Sequence, residues 1–392
     1  MKIIKNYFVA LIFLALPLTA NSEGSENIKK FIKGNLSEKT AAVKNADSTE
    51  AEYLAKQAIT FSIQNKEFLG NDRELAALAV SGILAIPQNY VESLSEKEKN
   101  ELSYDFWLVY NSFDDETVKI AVLNRIAKLD IPVEKFKETL NSYITDCNPE
   151  TESHALLAAT IQTLGTVGDS NSFKILFSCA QNKNWAAYSE EIELAIGSLS
   201  EKSENEILVY IGTGNTAECR KIFDLVTKNK KNSQNLCAKI SENTLVRTIY
   251  IYENTSSASD ELIQLQFDSF LVLSSLKWTR ASETAIHYFD VAKKEYENKQ
   301  LNETSFITVI EEIAKTSPIQ AVGKLSEYLS SLNKKMESNS SEISEPVVLA
   351  TIKTLGAIGD KNAFDSLLAV TYYNYSETVI ATARDALAKL KW

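Results

Sequence analysis

An all-α fold, a solenoid of stacked antiparallel helix pairs, is what this sequence predicts, and three observations carry the expectation. Apolar residues recur at three- and four-residue spacing through most of the 392 residues, the period of one helix face. Only 12 glycines and 6 prolines interrupt them, so the helices are long. One eighteen-residue string occurs twice: residues 160–177 read TIQTLGTVGDSNSFKILF and residues 351–368 read TIKTLGAIGDKNAFDSLL, with ten identities at an offset of 191 residues.

In chain order, residues 1–22 read as a secretory signal peptide. Lys2 and Lys5 form a positive n-region, residues 8–18 are an apolar run, and small residues follow at Ala20 and Ser22. The run is shorter than the roughly 20 residues of a membrane span, and no later segment is as apolar, so no membrane insertion is expected after signal removal. Residues 23–50 are polar apart from Ile28, Phe31 and Ile32, which predicts a partly disordered lead-in with one short helix. From residue 51 to 392 helix pairs are expected. Their stripes run through ELAALAVSGILAI from Glu74, ETVKIAVLNRIAKL from Glu116, FDSFLVLSSLK from Phe267, ASETAIHYFDVAKKEY from Ala281 and FITVIEEIAK from Phe306. Residues 334–345 form a polar stretch expected as an exposed loop, and residues 381–392 a terminal capping helix.

The clearest units, residues 152–200 and 344–392, make sense as helical hairpins. In the second, Val348, Ile352, Leu355 and Ile358 line one helix, Gly356 and Gly359 permit a tight elbow, and Phe364, Leu367 and Leu368 begin the returning stripe. Gly165 and Gly168 occupy the same places in the first. Asp169 and Asp360 stand where a carboxylate accepts backbone N–H bonds at the start of the second helix. A weaker echo joins ETVKIAVLNRIAKL to ETVIATARDALAKL from Glu377, with six identities in fourteen.

The string L-G-x-[VI]-G-D-x-x-[SA]-F-x-x-L, followed by an ETVIATARDAL-type helix, resembles the HEAT repeat, particularly the HEAT-like repeats of phycobilisome lyases. The resemblance implies a right-handed superhelix of the HEAT/armadillo kind. The arginine that such repeats often carry early in the first helix is absent, Val379 being followed by Ile380 and Val118 by Lys119.

Charge narrows the partners. Without Lys2 and Lys5 the chain has 39 basic against 52 acidic side chains, a net charge of −13, which disfavours nucleic acid and anionic membrane surfaces. The basic cluster Lys228, Lys230 and Lys231 reads as a solvated loop between helices. Cys147, Cys179, Cys219 and Cys237 fall within 91 residues with no C-x-x-C pair, so disulfides between sequence neighbours are expected in place of a zinc or redox motif, with buried free thiols as the alternative.

Candidate chemistry is sparse. ILVYIGTGNTAECRKIFDLV, residues 207–226, matches the dinucleotide spacing at Gly212, Gly214 and Ala217, but no acid stands about 20 residues on and no strand follows, so a helix, an elbow and a second helix are expected. His154 and His287 are 133 residues apart and do not suggest a shared site. Asp114, Asp115 and Glu116 precede an apolar helix, where the helix dipole favours acids. Neither a catalytic residue, a metal ligand nor a cofactor is expected. The leading expectation is an exported, periplasmic, non-catalytic scaffold or adaptor that binds other envelope proteins. The alternative is a lyase-like enzyme acting on a prosthetic group or a thiol-bearing acceptor. Exposed aromatics often anchor interfaces, which marks Tyr372, Tyr373 and Tyr375 in TYYNY and Trp278 in KWTR as candidate partner contacts.

Overall fold

The computed structural model describes residues 26–129, 131, 134–338 and 343–391; residues 1–22, expected as a signal peptide, and Trp392 lie outside the described residues. Among those described, every named element is helical, and the one β-type contact is an isolated bridge between Asp360 and Lys391. No helix is long and apolar enough to cross a membrane. The chain forms two compact units, one ending at Phe136 and the other starting at Lys137.

Unit one contains α1 (Glu26–Lys33), α2 (Leu36–Lys44), α3 (Ala51–Leu69), α4 (Arg73–Ala85), the short α5 (Gln88–Ser93), α6 (Glu96–Ser112) and α7 (Glu116–Leu129). Two of these replace the partly disordered lead-in expected over residues 23–50. Asn35 and Glu38 form a capping box that starts α2, and Phe31, Ala42 and Val43 bury against Leu54, Ala58 and Leu78, enough apolar surface to order a polar segment. α2, α4 and α7 pack in succession as one layer, while α3 pairs with α4 and α6 with α7. Asp115 starts α7 by accepting the N–H bonds of Thr117 at 2.8 Å and Val118 at 3.3 Å.

The division falls within α8 (Glu134–Asp146). Unit two then runs through α9 (His154–Val167), α10 (Ser170–Gln181), a 3-10 turn (Lys183–Tyr188), α11 (Ser189–Leu199), α12 (Glu204–Thr213), α13 (Thr216–Thr227), α14 (Gln234–Glu253), α15 (Asp260–Ser275), α16 (Ser282–Glu297), α17 (Glu303–Thr316), α18 (Gln320–Glu337), α19 (Glu345–Ile358), α20 (Phe364–Val370) and α21 (Glu377–Ala388). The helices alternate between two layers. Each odd-numbered helix from α9 to α21 packs on the next odd one, and from α12 to α20 each even one packs on the next even one, so successive pairs stack as in a solenoid. Local chemistry sets most of the starts: Ser153, Asp169, Asn215, Ser233, Ser259, Asn302, Ser344 and Ser376 each accept an N–H bond at the following helix's first turn. Residues 334–337, expected in a loop, continue α18, and the helix resumes at Glu345.

The two repeat copies meet their neighbours in the same way. A Cβ on Gly165 would stand 2.7 Å from Ala195 Cα on α11, and one on Gly356 would stand 2.9 Å from Ala386 Cα on α21. Ala195 and Ala386 are themselves 191 residues apart, so the structural repeat extends beyond the matching strings. Only glycine lets adjacent helices of the odd layer approach this closely.

Candidate functional site

The odd-numbered layer of unit two carries surface grooves between adjacent helices. The one between α11 and α13 has a volume of about 650 Å³, and another between α17 and α19, lined by Lys315, Lys353 and Ile358, about 500 Å³. Unit one has its own apolar groove of about 720 Å³ lined by α2 and α4 residues, Val80 and Leu84 among them.

The α11–α13 groove follows from helix register. On α11, Ile192, Ala195, Ile196 and Leu199 point into the core, which leaves Leu194 on the outer face, 67% exposed. On α13, Ile222, Phe223 and Val226 are buried, and Lys221, Asp224 and Leu225 face the groove. Its end is closed by Asn229, whose side-chain amide donates to Gly197 O at 2.7 Å; a Cβ on Gly197 would stand 3.0 Å from that nitrogen. Lys228 pairs with Asp224 at 3.0 Å, and Lys221 donates to Ala180 O at 2.7 Å. The exposed Lys230 and Lys231 ammonium groups have no acid partner among the described residues. The groove thus offers apolar contact at Leu194 and Leu225, two cations at one end and, on α11, the exposed carboxylates of Glu190 and Glu193.

The other layer exposes apolar side chains as well. Val209 on α12 and Val246 and Tyr250 on α14 are all exposed, with the Arg247 guanidinium 5.4 Å from the Tyr250 ring and its Nε donating to Gly214 O at 3.0 Å.

The residues singled out by sequence are scattered through unit two. Tyr372 is 77% exposed, while Tyr375 is buried with its hydroxyl donating to Asn333 Oδ1 at 3.1 Å. Tyr375 is thus a core residue: the turn after α20 brings its ring back under the neighbouring pair, so it offers no surface to a partner. Tyr373 is half-buried against the same core. Trp278 is half-buried too; its indole donates to Glu242 Oε2 at 2.8 Å, and Arg280 covers the ring at 5.2 Å. Asp169 accepts the N–H groups of Asn171 and Ser172 at 3.0 and 3.2 Å, and Asp360 that of Asn362 at 2.8 Å, so both carboxylates cap helices. Gly168 is in an extended conformation, whereas Gly359 takes a left-handed one, φ 72°.

All four cysteines are free thiols. Cys219 Sγ contacts Ile211 O at 3.5 Å and Cys237 Sγ contacts Val226 O at 3.8 Å, so each thiol engages a different carbonyl. Burial pushes Cys179 up to about 12, helped by the charge of Cys147, and pushes Cys219 up to about 11. The 207–226 stretch is helix, elbow and helix, with Gly212 inside α12 and Asn215 capping α13. His154 stacks on Tyr188 at 4.8 Å, and His287 Nε2 lies 2.8 Å from Glu253 Oε1. Among the described residues no three of His, Cys, Asp and Glu cluster as metal ligands would.

No protein-family model and no curated protein matches the chain. Sequence reading did not single out Leu194, although its register was informative: a leucine two residues from both Ile192 and Ile196 cannot share their stripe. It also read Lys228, Lys230 and Lys231 as a solvated loop, because nothing local shows that Asn229 ties that loop to α11.

Proposed function

We propose that the protein is an exported, non-catalytic scaffold of HEAT-like repeats that holds another envelope protein through the α11–α13 groove. The observation that carries the reading is the groove itself. It is concave, with apolar contacts at Leu194 and Leu225 and unpaired cations at Lys230 and Lys231, which suits a partner segment presenting an apolar side chain beside acids. The repeat string and the two-layer stack support the HEAT-like assignment, and the signal-like N-terminus supports export.

Site-specific photocrosslinking tests it. A photoreactive residue at Leu194 is expected to give one discrete adduct in the native envelope, lost on charge reversal of Lys230 and Lys231, with none from Tyr250 on the opposite layer. Adducts from Tyr250 alone would move the working surface to the even layer. A discrete small-molecule adduct at Leu194 would favour the enzyme reading instead.

A further inference from the structure

Seven buried polar atoms that find no hydrogen-bond partner among the described residues lie on three neighbouring helices. They are Thr244 Oγ1 on α14, Gln266 Oε1 and Nε2 and Ser269 Oγ on α15, and the Tyr288 hydroxyl and both Glu295 carboxyl oxygens on α16. All five side chains are fully buried. Glu295 follows Tyr288 by seven residues, two helical turns, so both lie on one face of α16, with the equally buried Ala292 between them. The surrounding core is apolar: Tyr288 sits 5.3 Å from the Phe270 ring, and Ile249, Ile263 and Phe289 belong to the same cluster.

An ionised carboxylate without a donor or a cation cannot be held in such a core, so in the closed structure Glu295 carries its proton. Burial alone pushes its carboxyl up to about 8. Several charged groups of the packed elements have partners of their own, while Tyr252 on α14 interacts with Glu295 itself. On α14, Glu253 bonds His287, and Tyr252 is raised by its own burial and then by Glu295; on α15, Asp268 is held by Arg220 at 2.6 Å. On α17, Glu303 accepts from Tyr296 at 3.4 Å, and from α18 Lys324 reaches Asp290 at 2.7 Å and Lys335 reaches Glu297 at 3.3 Å. On α16 itself, Lys293 lies over the Tyr328 ring, and Lys294 is exposed.

We propose that Glu295 makes α14–α16 a proton-gated joint: its neutral carboxyl holds the three helices shut, and loss of the proton lets water into the seam before the rest of unit two opens. The sign follows from the two forms. In the opened seam the carboxyl titrates near its ordinary 4.5, and in the closed seam near 8. Below 4.5 both forms keep the proton and closure has its full strength. Between 4.5 and 8 only the open form releases it, so closure weakens as pH rises; above 8 both release it and the trend levels off. The device acts within the stack and is independent of what the unit binds.

Hydrogen–deuterium exchange of the full chain, corrected for the intrinsic pH dependence of exchange, reads this directly. Between pH about 5.5 and about 8.5, peptides from α14–α16 are expected to lose at least about tenfold in protection, the factor that one pKa unit represents, while peptides from α9–α11 hold theirs. Glu295→Gln keeps the shape without the titration and is expected to remove the difference. Equal protection at both pH values, or a Glu295→Gln protein that still loses protection, overturns the proposal. Should that variant not fold, infrared spectroscopy of the wild type at neutral pH decides: a band from a buried protonated carboxyl is expected, and its absence also overturns the idea.

Discussion

The two copies of the repeat share their helix contacts and differ at their elbows. In both, a serine caps the first helix, a threonine hydroxyl bonds back to the carbonyl four residues earlier (Thr160 to Leu156 and Thr351 to Val347), and a glycine presses on an alanine of the next odd-layer helix. The elbows diverge. Gly168 is extended and α10 starts at once from Asp169; Gly359 is left-handed, a 3-10 turn over Lys361–Ala363 follows, and α20 is seven residues against twelve in α10. What docks on each elbow differs too. Lys202 Nζ lies 3.4 Å from Gly168 O, and Lys137 lies 3.2 Å from Asp169; the corresponding Gly359 O accepts the backbone N–H of Lys391 at 2.8 Å. Identity between copies therefore reports the packed contact, and the turn varies along with its neighbour.

Seven substitutions would break or sharpen this comparison. If the glycine–alanine contact is the shared element, Gly165→Ala and Gly356→Ala should each destabilise by about 1–3 kcal/mol through overpacking, offset in part by alanine's better helix propensity. Urea unfolding in which only one of them registers would show that the copies are not equivalent. Tyr375→Phe leaves Asn333 Oδ1 without its donor and should lower stability by about 1–2 kcal/mol, whereas Tyr372→Ser should stay within about 0.5 kcal/mol. Thermal melts that rank them the other way would reverse the core and surface assignments in TYYNY.

Removing either cap, Asp169→Ala or Asp360→Ala, should lower stability by about 1 kcal/mol. Asp169 should also add an acid dependence. Burial raises its carboxyl, but the Ser172 N–H, the Lys137 ammonium and the Asn171 N–H outweigh this and hold it below its ordinary 3.8. That contribution is complete above 3.8 and fades as pH falls through the lowered value. Melting curves at acid pH in which wild type and Asp169→Ala stay parallel would remove the special role of Lys137. Gly359→Ala should likewise lower stability by about 1 kcal/mol, since a left-handed φ disfavours a Cβ, and Lys391 remains free to bond the carbonyl.

Helix character, pairing and both aspartate caps were legible in the sequence because they depend on residues three and four apart. The lead-in was misread because its order comes from Phe31 and Val43 meeting Leu54 and Leu78, contacts that a local window cannot contain. Of the groove, only the lysine cluster was visible, and its meaning depends on the Asn229–Gly197 bond 32 residues away in sequence. Tyr375 looked like surface because it lies between helices; the Asn333 partner that draws it inward is 42 residues earlier. The Glu295 seam left no sequence signal, since a glutamate inside an apolar stripe resembles any amphipathic helix.

The two-layer stack of unit two also bears on how it comes apart. Its side-chain links join residues close in sequence: Ser376 reaches Glu345 across 31 residues, and Arg220 reaches Asp268 across 48. Assembly can therefore spread from pair to pair without closing long loops, which favours quick folding and lets one stretch form while another is still open. The same economy leaves a row of links with no detour. Loosening α14–α16 separates the mechanics of α9–α13 from those of α17–α21, so that stretching or partial digestion should release two surviving halves instead of dissolving the unit in one step.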